Sequence, residues 1–352
     1  MTTSKTTVFL TGATESDWIG YIGGSVLARL LRHPSAETFD ITVQTRSPEK
    51  VKLFEKLGVK AVVGTNDDVD QLEGLAEQAH IVFSCADADH LSAINAILRG
   101  LRKRHATVGD LPTLIHTSGT GVISTPAKGM FASDTIYSDL NVEQIKSIPP
   151  EALHREVDLA VVDANEKGYA NTYIVLPSTI YGFATHQLVD AGISNPISIQ
   201  IPSLIRPSLD RKQAGVVGAG KAIWPDVHID DVADLYIVLF DSITANPDGV
   251  GHGWEGFYFG ENGEHTWYDI SKEIARTSVE LGLGGTDEPT SFTDEELIKY
   301  WGSVDSGNYS GTNSRCRADR GRSIGWEPKY TTKDMITSIK PTIEFLLEKA
   351  RK

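Results

Sequence analysis

The 352-residue sequence predicts an α/β fold, a doubly wound parallel sheet followed by a smaller C-terminal lobe. Short β-branched runs alternate with segments of helical periodicity through the first half. A glycine-rich turn stands between the first strand and the first helix, and the alternation breaks after Gly182. Strand, helix, strand in this rhythm implies βαβ units, because parallel strands need a crossover between them.

The elements follow in order. Thr7 to Leu10 reads as a buried strand, and Ile22 to Leu31 carries apolar residues at helical spacing. Phe39 to Gln44 is a second strand, followed by a helix from Pro48 to Leu57. Val59 to Val63 and Ile81 to Ser84 are the third and fourth strands, and Ala93 to Leu101 is helical. Thr113 to His116 is the fifth strand, Leu153 to Glu166 a helix, and Thr172 to Leu176 the sixth strand. From Phe183 to Trp224 the chain is rich in Pro, Ser, Gly and Ile, with no long amphipathic helix. Helices are expected again at 230–241, 266–281, 294–301 and 332–349. Residues 1–182, with 225–250 returning, form the sheet domain. Residues 183–224 and 251–330 form the second lobe, and 331–352 a C-terminal helix. No internal repeat or low-complexity tract interrupts this plan.

Composition is that of a globular chain, with 40% hydrophobic and 23% charged residues. A net charge of -14 argues against nucleic acid or an anionic membrane surface as partner. Two cysteines, Cys85 and Cys316, form neither a disulfide framework nor a metal motif, so a reducing compartment and no metal are expected. The apolar run Val8-Phe9-Leu10 is too short for a secretory signal, and no segment nears the ~20 apolar residues of a membrane span. The expected location is cytoplasmic.

The run Val8-Phe9-Leu10-Thr11-Gly12-Ala13-Thr14 leads to Gly20-Tyr21-Ile22-Gly23-Gly24. A glycine turn here lets the backbone approach a pyrophosphate, and the helix N-terminus supplies N–H donors. Thr11-Gly12-Ala13-Thr14 joined to Gly20-Tyr21-Ile22-Gly23-Gly24 resembles the loop of extended and atypical short-chain dehydrogenases/reductases, the NAD-dependent epimerase/dehydratase-like proteins. The resemblance implies a Rossmann-type domain, a substrate-binding C-terminal lobe, and dinucleotide contacts at Thr11, Gly12, Thr14, Gly20, Tyr21, Ile22 and Gly23. Glu15-Ser16-Asp17-Trp18-Ile19 is an insertion relative to that pattern, read as a surface loop or as a flap with Trp18 over the ligand.

At the end of the second strand, Val43-Gln44-Thr45-Arg46-Ser47 offers no carboxylate to a ribose. Arg46 can instead pair with a 2′-phosphate, helped by Ser47 and Lys50, so the expected cofactor is NADP(H). The resemblance implies that Asp67 or Asp68 lies near the adenine and that Cys85, Ala86 and Asp87 line the ribose side. Thr117, and Pro177, Thr179 and Ile180 in Pro177-Ser178-Thr179-Ile180-Tyr181-Gly182, fall on the same path.

Family enzymes use a Ser or Thr after the fifth strand and a Tyr-x-x-x-Lys on the next long helix. Here Ile115-His116-Thr117-Ser118-Gly119-Thr120-Gly121 offers Ser118 or Thr120, and the strictest register falls on Gly119. Leu153-His154-Arg155-Glu156-Val157-Asp158 places His154 on the Lys position and Pro150 on the Tyr position. The usual proton donor is therefore missing, and Tyr137, His154 or Tyr181 is its expected substitute. His154 is also read as a ribose hydrogen-bonder. Tyr268 and Lys272 repeat the spacing in the second lobe, where they read as an ordinary helix pair. In Val227-His228-Ile229-Asp230-Asp231, Asp230 or Asp231 is expected to cap the following helix. Arg315 is read either as a partner for an anionic substrate group or as a surface ion pair.

The reading that results is an NADPH-dependent oxidoreductase reducing a carbonyl or conjugated double bond of a small metabolite, with Ser118, Tyr137 and His154 as catalytic candidates. A non-catalytic NADP sensor of NmrA type and a nucleotide-sugar epimerase or dehydratase are the alternatives. A monomer or a homodimer through the helices at 93–101 and 153–166 is expected.

Overall fold

The computed structural model describes residues 5–12 and 20–351. Its first half runs β1 (Thr6–Thr11), α1 (Tyr21–Leu31), β2 (Phe39–Thr45), α2 (Pro48–Lys56), β3 (Lys60–Val63), α3 (Val69–Gln78), β4 (Ile81–Ser84), α4 (Leu91–Val108) and β5 (Thr113–Thr117). There follow β6 (Tyr137–Ser138), α5 (Val142–Lys146), α6 (Arg155–Glu166), β7 (Asn171–Pro177), β8 (Thr179–Tyr181), α7 (Gln187–Asp190) and α8 (Gln200–Asp210). The remainder is β9 (Gly215–Val216), β10 (Ile223–His228), α9 (Ile229–Ala245), β11 (Phe257–Gly260), β12 (Glu264–Thr266), α10 (Trp267–Glu280), β13 (Thr290–Ser291), α11 (Asp294–Trp301), α12 (Val304–Asn308), β14 (Cys316–Arg317), α13 (Asp319–Ser323) and α14 (Thr332–Arg351).

Seven parallel strands form the central sheet in the order β3-β2-β1-β4-β5-β7-β11. This is the doubly wound, Rossmann-type arrangement, with the order reversing beside β1. Val8 lies opposite Ile41 on one side and Ile81 on the other, which fixes the register at the centre. β4 and β5 are buried at every position, as a sheet covered on both faces requires.

The second lobe has its own core. Trp224, Trp267, Ile201, Leu204, Ile270 and Met335 pack within it. Three departures from the sequence expectation stand out. Residues 200–210 form α8 despite Pro202 and Pro207. Pro202 falls in the first turn, where no intrahelical N–H is needed, and Ile201, Leu204, Ile205 and Ser208 give a buried face at helical spacing. The central sheet also takes a strand from the segment assigned to the second lobe, because the fully buried Phe257–Gly260 pairs with β7. In the returning segment α9 packs on α1 and Val227 and Val250 enter the sheet domain's core, while β10 pairs with β8 and β12 in a separate three-stranded sheet. The C-terminal helix α14 is part of the second lobe's core through Met335, Ile339 and Ile343.

No helix among the described residues is long and apolar enough to cross a membrane.

Candidate active site

Gly12, just after β1, lies flush on the loop after β4. Gly12 has φ +78°, and a β-carbon there would stand 2.4 Å from the Cys85 carbonyl oxygen and 2.7 Å from the Ala86 nitrogen. Only glycine satisfies both the backbone angle and the approach. Two depressions open over the carboxyl ends of the strands and share Ala86 and Asp87. One, of about 280 Å³, is walled by Gly20, Tyr21 and Ile22 at the start of α1 and by Thr117, Ser178 and Ile180 opposite. The other, of about 270 Å³, is walled by Gly12, Arg46, Asp67 and His90. They adjoin at Ala86 and Asp87 and form a trough at the start of α1, the position where open α/β sheets bind ligands.

The expected cofactor residues divide between this trough and the frame around it. Gly12, Gly20, Tyr21, Ile22, Arg46, Asp67, Cys85, Ala86, Asp87, Thr117 and Ile180 line it. Gly23 is buried in the first turn of α1. Thr11 is buried, and its Oγ1 accepts from the Cys85 N–H at 3.2 Å, tying β1 to β4. Asp68 accepts from the N–H and hydroxyl of Thr65 at 2.6 and 3.0 Å, so it holds a turn, and the wall of the trough is Asp67. Lys50 does not assist Arg46: it is buried and donates to the Ile193 carbonyl at 3.0 Å. Pro177 and Thr179 are buried framework beside the lining residues Ser178 and Ile180. Thr14, with the Glu15–Ile19 insertion and Trp18, lies outside the described residues.

Beside the trough, at the end of β5, a polar cluster forms. The His154 Nδ1 is 2.8 Å from Asp89 Oδ1, and the His154 backbone N–H donates to the same oxygen at 3.1 Å. The carboxylate assigns the ring proton to Nδ1 and leaves the Nε2 lone pair for chemistry. Hydrogen bonding to His154 holds the Asp89 carboxyl below the usual range, keeping it anionic. His154 has φ +67°, a left-handed conformation that turns its ring back over the β5 loop just before α6 begins. Its Nε2 would be 3.3 Å from a β-carbon on Gly119 and 3.2 Å from one on Gly121. A β-carbon at 119 would be in tight contact with the imidazole, which lies directly over this loop.

Ser118 donates to Asp158 Oδ2 at 3.1 Å, which leaves its lone pairs, not its proton, for any other partner. Thr120 is buried, and its hydroxyl has no partner among the described residues. Tyr137 sits in β6 opposite Cys316, its ring packed on the main core and outside the trough lining. Tyr181 is no proton donor to the trough, since its hydroxyl donates to the Thr331 carbonyl at 2.8 Å and ties β8 to the second lobe. Two residues that the sequence reading passed over belong here. Asp89 lies two positions beyond the Cys85-Ala86-Asp87 run, and Tyr309 brings its hydroxyl within 2.7 Å of where a Gly121 β-carbon would stand.

The family model described as NAD dependent epimerase/dehydratase matches residues 8–250. The chain belongs to that family. An Acremonium protein named oxidase ucsJ is 29% identical over 345 residues, covering 91% of this chain and 92% of its own. An uncharacterised Schizosaccharomyces pombe protein is 24% identical over 343 residues, covering 92% and 96%. Among solved structures, a Thermotoga maritima UDP-glucose 4-epimerase with UDP-glucose gives a TM-score of 0.64 at 14% identity over 98% of this chain and 99% of that one. A Bacillus anthracis dTDP-glucose 4,6-dehydratase in complex with NAD gives 0.63 at 14% over 97% of each. At that identity the two structures show a shared fold.

Pro150, which the sequence reading set on the Tyr position, lies in the turn between α5 and α6. The other motif residues serve the frame. His228, not Asp230 or Asp231, caps α9, accepting from the Asp230 N–H at 3.1 Å. Asp231 accepts from the N–H groups of Lys329 and Tyr330, both at 3.0 Å, and Asp230 and Asp234 pair with Arg29. Tyr268 and Lys272 share Glu288 on the surface. Arg315 forms a two-pronged pair with Glu264 at 3.0 and 2.9 Å.

Burial pushes Asp158 up to about 7. Between about pH 4 and pH 7 the folded chain therefore holds a proton that the unfolded chain has released, so this group's stabilisation falls as pH rises through that window. Asp158→Asn carries no such charge. It is expected to be more stable than the native chain at pH 8, by on the order of 2 kcal/mol, with a smaller gain at pH 5. Urea midpoints at the two pH values check this, and a difference independent of pH would contradict it.

Proposed function

We propose that this chain is an NADP(H)-dependent oxidoreductase acting on a carbonyl, its alcohol or a conjugated double bond of a small, uncharged, largely apolar metabolite. The observation that carries the reading is the His154 imidazole, held by Asp89 and presented over Gly119 and Gly121 beside the trough. An orienting carboxylate, an imidazole with a free Nε2 and an adjoining ligand cleft are the parts of a proton-transfer site.

A nicotinamide dinucleotide fits the trough. The Gly12 approach and the α1 N-terminus suit a pyrophosphate, and Arg46, exposed and without an ion pair among the described residues, suits a 2′-phosphate at the β2 end. The bound group supplies hydride-transfer chemistry. Asp89 fixes the His154 tautomer, and the His154 Nε2 is the point through which a proton enters or leaves the site. Tyr21 donates to the Gly182 and Tyr181 carbonyls at 2.7 and 3.0 Å, which holds the far wall in place.

The lining around Thr117 and Ile180 includes Ile199 and no lysine or arginine among the described residues. Ile180 and Ile199 at that end of the trough support a largely apolar substrate beside the cofactor. The name oxidase borne by the Acremonium relative supports redox chemistry and leaves the direction of transfer to the assay.

The test is a panel of aliphatic and aromatic ketones, enones and alcohols with NADPH deuterated at C4. Deuterium in one product class, read by mass spectrometry, supports the proposal. Tight NADPH binding with no transfer to any member contradicts it and favours a sensor.

A further inference from the structure

We infer that Tyr309, delivered from the second lobe, is the hydroxyl that protonates the substrate oxygen in place of the absent motif tyrosine; this rests on the oxidoreductase reading above. The phenol oxygen and the His154 Nε2 lie 2.7 and 3.2 Å from one point, the place of a Gly121 β-carbon. They converge on the loop after β5 from opposite lobes. Gly121 is the residue whose lack of a side chain lets both reach it.

Tyr309 is firmly held. Its ring meets Trp224 edge-on, with centroids 5.4 Å apart. Its carbonyl accepts from the N–H and hydroxyl of Thr312 at 3.2 and 2.8 Å. The Thr312 carbonyl in turn accepts from the indoles of Trp224 and Trp267 at 2.8 and 3.0 Å. Gly129 donates to the Gly311 carbonyl at 2.8 Å, fixing the same turn against the loop that leaves β5. This frame fixes the phenol while its hydroxyl donates to no described residue, unlike those of Tyr21 and Tyr181. Burial and the nearby Asp89 carboxylate raise its pKa, so it is a donor rather than a standing phenolate.

The step balances with the groups present. As the carbonyl carbon accepts hydride, the carbon–oxygen π bond breaks and the oxygen takes the Tyr309 proton. The phenolate takes back a proton delivered from solvent at the His154 Nε2, while the Nδ1–H stays on Asp89. The reverse sequence serves alcohol oxidation.

Tyr309→Phe keeps the ring contact with Trp224 and removes only the hydroxyl. It is expected to lower kcat by about 10²-fold, with dinucleotide affinity changed by less than about threefold. Gly121→Ala keeps both groups and drives a methyl between them, and a loss of about tenfold or more is expected. In ¹⁵N-histidine-labelled protein, Tyr309→Phe is also expected to move the His154 Nε2 resonance and its titration midpoint. An unchanged kcat in Tyr309→Phe with native turnover intact overturns the inference and leaves the oxidoreductase reading standing. If the native protein binds dinucleotide and turns over nothing, that reading falls. The His154 resonance then decides separately, and an unmoved resonance overturns the phenol–imidazole pairing.

Discussion

His154→Asn is expected to lower kcat by about 10³-fold while dinucleotide affinity changes by less than about threefold. Asparagine is the informative replacement because position 154 has φ +67°, which Asn tolerates and most other residues do not. The start of α6 is then preserved, and the side chain still reaches Asp89. What disappears is the only ring nitrogen placed over Gly119 and Gly121 among the described residues. If His154 merely held a ribose hydroxyl, the same variant would weaken dinucleotide binding and leave kcat nearly intact. Steady-state kinetics with a calorimetric affinity separates the two roles, and a variant with raised Kd and native kcat would refute the proton-transfer assignment.

Arg46→Glu is expected to weaken NADPH by about 10²-fold and to change NADH by less than about threefold. The guanidinium is exposed, sits on the trough wall at the end of β2 and makes no ion pair among the described residues, so little else depends on it. Its removal is expected to move thermal stability by no more than about 0.5 kcal/mol, as for an ordinary surface position. Equal weakening of both dinucleotides would place Arg46 at the pyrophosphate or outside the site. Isothermal titration of the variant with each cofactor distinguishes these outcomes.

The architecture was legible where local pattern and burial agree. Buried β-branched runs such as Val8–Leu10, Ile81–Ser84 and Thr113–His116 are strands because a parallel sheet is covered on both faces. The pattern failed where local chemistry and tertiary packing disagree. Two prolines hid α8, whose buried apolar face outweighs the hydrogen bond that Pro207 removes. The short strand Phe257–Gly260 lay within a glycine- and aromatic-rich stretch, and nothing local distinguishes a seventh sheet strand from second-lobe structure.

The site divides the same way. His154 was visible because it replaces a motif residue at fixed spacing from Asp158. Asp89 was within reach, being near a quoted run, but its pairing with His154 spans 65 positions. Tyr309 is flanked by Asn308 and Ser310 in a short turn, with no motif around it. Its position comes wholly from the Trp224–Thr312–Trp267 frame of the second lobe. Conversely, Lys50 and Asp68 looked available in sequence, and folding uses them for a lobe contact and a turn.

The most direct measurement is a calorimetric titration of the native protein with NADPH and with NADH. The structure leads us to expect one saturable site per chain, with NADPH tighter by about tenfold or more through the Arg46 contact. Failure to bind either dinucleotide would contradict the account, because the Gly12 approach, the α1 terminus and the trough would then serve no such ligand.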